Sequence, residues 1–112
     1  MVPRTIHFYE NYFLDFYKEQ NQEVREKIKY VLAYVRNEEN LKPKFFKHLE
    51  GTDGLYEIRV KHGSNIYRIF CCFDKGNLVI LFNGFQKKAQ KTPKNEIKKA
   101  EKLKANYFSK KK

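Results

Sequence analysis

The chain has 112 residues with 24 lysines and arginines against 13 acidic residues, a formal net charge of +11, and 41% hydrophobic and 16% aromatic content. This is the length of one domain, residues 1–112, with too much apolar matter for a disordered chain. No apolar run approaches the roughly 18 residues of a membrane span, and the first ten residues lack the apolar stretch of a signal peptide. A soluble, cytoplasmic protein with no membrane partner is expected.

Cys71 and Cys72 are neighbours in a strand-like stretch, where successive side chains point to opposite faces, so no disulfide is expected between them. One should pack in the core and the other fill the sheet surface. Two cysteines and the scattered His7, His48 and His62 give no metal-ligand spacing. Charge is concentrated at one end: residues 86–112 hold 11 lysines and only 2 acidic residues. Such a segment suits either a polyanionic partner or a solvated helix.

In chain order, residues 3–9 alternate, with Ile6 and Phe8 on one side and Thr5, His7 and Tyr9 on the other, which predicts a short strand. Residues 11–20 place Tyr12, Phe13, Phe16 and Tyr17 on one helical face. The apolar residues Val24, Ile28, Val31, Leu32 and Val35 form a clear helical stripe over residues 22–39, which Asn40 and Pro43 close. Residues 51–54 form a turn cluster. Three β-type runs follow, at 55–61, 65–73 and 78–85, with gaps too short for crossover helices, so they pair antiparallel. The run 78–82 has no polar face and is predicted to be central. Thr92 as N-cap and Pro93 as first helical residue open a last helix, with Ile97, Ala100, Leu103 and Tyr107 facing inward. Its end, residues 109–112, reads as a frayed basic tail.

Arg59 and Arg68 stand out inside these strands, because a hairpin turning near Gly63 brings both onto one surface. Paired guanidinium groups suit a phosphate placed between them, unless each pairs with a carboxylate such as Glu57 or Glu50. Lys87 and Lys88 follow the end of the central strand, with Lys91 a looser member, and could neutralise a phosphate or donate a proton. His48 and His62 read as surface residues. Tyr56, Phe85 and Tyr107 are aromatic groups that could stack on bases or pack in the core.

The series Gly54-Leu55-Tyr56-Glu57-Ile58-Arg59-Val60, Tyr67-Arg68-Ile69-Phe70, residues 82–93 and Glu96-Ile97-Lys98-Lys99-Ala100 resembles the RelE/ParE toxin superfamily, most closely its HigB-like, phage-related branch. The resemblance implies an α+β, RelE-like fold: a small antiparallel sheet with the two N-terminal helices packed on one side and a basic C-terminal helix. It also implies the toxin of a type II toxin–antitoxin system, with a protein antitoxin carrying a helix-turn-helix domain as partner. The activity implied is that of an endoribonuclease, an mRNA interferase that cuts mRNA in the ribosomal A site beside ribosomal RNA. The ribose 2′-OH attacks the adjacent phosphate, with no metal and no cofactor.

On this resemblance Arg68 stabilises the transition-state phosphate and Arg59 is a second phosphate ligand. Lys87 or Lys88 serves as acid or clamp. Glu57, Lys61 and His62 all stand as general base, and Tyr107 as a substrate-stacking group. Two alternatives are a ParE-like inhibitor of DNA gyrase and an inactive relative that only binds antitoxin or operator.

Overall fold

The structure is a computed structural model and describes residues 3–87 and 93–111. Its elements are β1 (Thr5–Phe8), α1 (Tyr12–Lys18), α2 (Gln22–Asn37), β2 (Phe46–His48), β3 (Tyr56–His62), β4 (Asn65–Asp74), β5 (Leu78–Lys87) and α3 (Lys94–Lys110). The five strands form one sheet in the order β1-β5-β4-β3-β2. Strands β2 to β5 pair antiparallel, as the short connections require, and β1 joins the outer side of β5 in parallel. The three-residue β2 was not anticipated from the sequence.

Alternation along these strands feeds two cores. On one face Ile58, Val60, Tyr67, Ile69, Cys71, Val79 and Leu81 pack against Phe13 and Phe16 of α1 and the α2 stripe of Val24, Ile28, Val31 and Val35. On the other, Leu55, Phe70, Cys72, Ile80 and Phe82 pack against Ala100 and Leu103 of α3, with Ile97 and Tyr107 at the margin. Helices therefore pack on both faces of the sheet. Cys72 fills this second core instead of the sheet surface, while Cys71 lies in the first, and both thiols are free.

Helix ends are fixed by identifiable groups. The Asn21 side chain accepts a hydrogen bond from the Val24 backbone N–H at 2.9 Å, capping α2. At its other end Arg4 donates to the carbonyls of Val35, Glu38 and Glu39, where a cation also favours the helix dipole. That cap ties β1 to α2 and ends the helix at Asn37, two residues before the sequence suggests. Pro93 is the N-cap of α3, with ψ 131°, and not its first helical residue. The expected cap Thr92 lies outside the described residues. Ser109 and Lys110, expected to fray, are still helical, and Lys111 is the C-cap. The Tyr107 hydroxyl donates to Asp74 at 2.7 Å, Lys111 pairs with the same carboxylate, and Lys110 pairs with Glu10 at 3.5 Å. Among the described residues no helix is long and apolar enough to cross a membrane.

Candidate active site

Helix α3 covers only part of its face. Beyond it, Glu57 and Arg59 of β3, Arg68 of β4 and Lys87 of β5 line the uncovered part. Arg59 lies directly opposite Arg68, and Arg68 directly opposite Phe85.

Lys87 reaches this side through an irregularity in the ladder. Between the pairs Ile69–Gly84 and Cys71–Leu81, β5 carries one residue more than β4. A single extra residue inverts which side chains face which side. Ile80 and Phe82 point at α3 before the bulge, and after it Phe85 and Lys87 point to the same side. The Phe85 ring then meets Phe70 at 5.3 Å, and Lys87 shares a cavity with Arg68. Inversion also turns Gly84 toward α1, where a Cβ would lie 2.5 Å from the Phe16 ring. Asn83, within the bulge, donates to the Glu96 carboxylate at 3.0 Å and so ties β5 to the first turn of α3.

The cavity has a volume of about 390 Å³ and is lined by Lys47, His48, Leu49, Glu50, Glu57, Arg68 and Lys87. Glu57 and Arg68 are 2% and 7% exposed and form an ion pair. Burial depresses the Arg68 pKa below the ordinary arginine value. Lys87 is also shifted down, first by burial and then by the charges of Arg68, Arg59 and Lys47. The Nε atoms of Arg59 and Arg68 are buried without a hydrogen-bond partner. Buried donors without acceptors, beside a cluster of cations, are suited to an anion. An anion bound here would face fixed positive charge with little solvent between.

Residues 15–105 match the family model described as "Phage derived protein Gp49-like (DUF891)". The chain belongs to this family. The Gp49-like chain also resembles the structure of a doubly substituted mutant of the Escherichia coli toxin RelE in the free state, with a TM-score of 0.64 and 21% identity, covering 89% of this chain and 96% of that one. A second likeness is to the RelB–RelE antitoxin–toxin complex from Methanococcus jannaschii, with a TM-score of 0.52 and 22% identity over 70% of this chain and 87% of that one. No curated protein matches. Family and fold together bear out the RelE/ParE superfamily resemblance and the α+β, RelE-like fold; they do not single out the HigB-like branch.

Within this Gp49-like fold the sequence candidates separate. Glu57, Arg68 and Lys87 share one cavity, with Arg59 adjoining Arg68. Lys61 lines a neighbouring cavity. His62 lies 3.4 Å from Glu23 of α2 and is not among the residues of the Arg68 cavity. Tyr107 packs between Tyr9 and Phe108 and bonds Asp74, six residues along β4 from Arg68, or about 20 Å. It is not brought to the site. Tyr56 packs on Phe46 and Phe73 of the first core. Lys88 and Lys91 lie outside the described residues. Lys47 was missed because β2 is too short to show a period; its register opposite Glu57 puts it at the site.

Proposed function

We propose that this Gp49-like chain is the toxin of a type II toxin–antitoxin pair and an mRNA endonuclease acting in the ribosomal A site. The observation that carries the reading is one cavity holding a buried guanidinium, a carboxylate and an amine of lowered proton affinity. Those are the groups that 2′-OH attack requires. The 2′-oxygen forms a bond to phosphorus as the bond from phosphorus to the 5′-oxygen breaks, leaving a 2′,3′-cyclic phosphate and a 5′-hydroxyl. Glu57 takes the 2′-hydroxyl proton, and Lys87 supplies one to the 5′-oxygen. Arg68, with Arg59 beside it, faces the negative charge that builds on five-coordinate phosphorus. Lys47 adds charge at the rim. Likeness to a RelB–RelE complex supports a protein antitoxin as partner.

Mapping mRNA 5′ ends in bacteria after brief induction tests this. The wild type should create new ends in frame within coding regions, and folded Arg68→Ala and Lys87→Ala variants should not. Growth arrest by the wild type without new ends would redirect the search to gyrase, and no arrest at all would favour an inactive, antitoxin-binding relative.

A further inference from the structure

A second cavity, of about 520 Å³, is lined by Lys27 of α2, Lys44 and Phe45 ahead of β2, Arg59 and Lys61 of β3, and Gly63 at the hairpin turn. Four of these six residues are cations and none is acidic. Among the described residues no ion pair neutralises any of the four. Lys44 and Lys27 lie instead over the rings of Phe45 and Tyr30, at 5.0 and 5.3 Å. Four unneutralised cations around one hollow repel one another and favour an anion between them.

Arg59 connects this hollow to the candidate active site. It lines the second cavity, yet it faces Arg68 in the ladder and its charge depresses Lys87 in the first. An anion with a single charged group would fill one cavity only. A chain of phosphodiesters can occupy both, with Arg59 between two neighbouring phosphates.

We propose that this second cavity is a phosphate subsite for the RNA strand being cut, taking a phosphodiester that flanks the scissile one through Lys27, Lys44, Arg59 and Lys61. The proposal rests on the nuclease reading above. Ribosomal RNA carries the same phosphodiester chemistry, but sharing Arg59 with the candidate active site favours the substrate strand.

The test is fluorescence anisotropy with a 2′-O-methylated RNA oligonucleotide, which lacks the attacking hydroxyl, titrated at several salt concentrations. Neither Lys27 nor Lys44 lines the Arg68 cavity, so Lys27→Gln/Lys44→Gln leaves the proposed chemistry in place. The double variant should keep the wild-type melting temperature. It should lose about 0.7–1.4 from the slope of log affinity against log salt, as one or two phosphate contacts disappear. An unchanged slope, or no oligonucleotide binding by the wild type, overturns the proposal. Weaker binding only to empty ribosomes would assign the cavity to ribosomal RNA, and a loss only with polyglutamate would assign it to an acidic peptide; either overturns the substrate-strand subsite. The nuclease reading fails separately, through absence of new mRNA ends in the wild type.

Discussion

Glu57 and Arg68 pair diagonally across the β3–β4 ladder: the register sets Glu57 opposite Phe70 and Arg68 opposite Arg59, and the guanidinium reaches along the sheet to the carboxylate. This arrangement relieves the repulsion that the Arg59–Arg68 facing pair would otherwise impose. Both partners are buried, so removing either one strands a charge. Arg68→Met alone should cost about 3–5 kcal/mol in chemical denaturation, whereas Glu57→Leu/Arg68→Met should recover most of that loss. The double variant should nonetheless be non-toxic. A double variant no more stable than the single one would show that the ion pair is not the source of the cost.

Gly84 is needed for space and not for backbone freedom. A Cβ there would meet three atoms of the buried Phe16 ring at 2.5–2.8 Å, and that ring is held between Phe13 and Tyr67. Gly84→Ala should destabilise the fold by about 1–3 kcal/mol. Phe16→Ala, which removes all three of these atoms, should cost less in the Gly84→Ala background than in the wild type. Melting curves of Gly84→Ala, Phe16→Ala and the double variant decide the point.

The sequence made α2 and the β3–β4–β5 meander legible because their apolar spacing is local. Parallel pairing of β1 leaves no such trace, since Thr5–Phe8 pairs with a strand that begins at Leu78, far along the chain. Burial of Cys72 depends on α3 covering the second face, which strand alternation alone does not reveal. At the site, Arg59 and Arg68 were visible as charged residues in otherwise apolar strands. The facing of Lys87 was not, because the bulge at Phe82–Asn83 inverts the parity that alternation assumes. Helical spacing puts Tyr107 on the inward face of α3, as found; the same packing, with Asp74 holding its hydroxyl, places it away from the Arg68 cavity.

Asp74 should make the docking of α3 acid-sensitive. Hydrogen bonds from Lys111 and Tyr107 hold its carboxyl below the usual aspartate range, while burial beside the same carboxylate lifts the Tyr107 hydroxyl to about 12. A carboxyl whose folded pKa is depressed stabilises the fold fully above its ordinary value of about 3.9 and loses that contribution as pH falls through the folded value. Asp74→Asn should therefore melt lower than the wild type at pH 7, with the gap closing as pH falls below the ordinary aspartate value and through the depressed folded one. A constant gap from pH 7 to pH 2 would show that the carboxylate charge contributes nothing.

Lys87 should titrate below ordinary lysines because burial comes first among its perturbations, followed by Arg68, Arg59 and Lys47. Its ammonium then loses a proton more readily than a solvent-exposed one, which is the property a proton donor to a leaving oxygen needs. Arg59→Gln removes one of the three charges while leaving burial and Arg68 in place. The Lys87 amine, followed by nitrogen-detected NMR, should move up toward the ordinary value of about 10.4 in that variant without reaching it. If cleavage uses this proton, the alkaline limb of the pH–rate profile should move up by the same amount. An upward shift in the titration with a stationary alkaline limb would assign the proton to another donor, and no shift in either would mean that Arg59 does not act on Lys87.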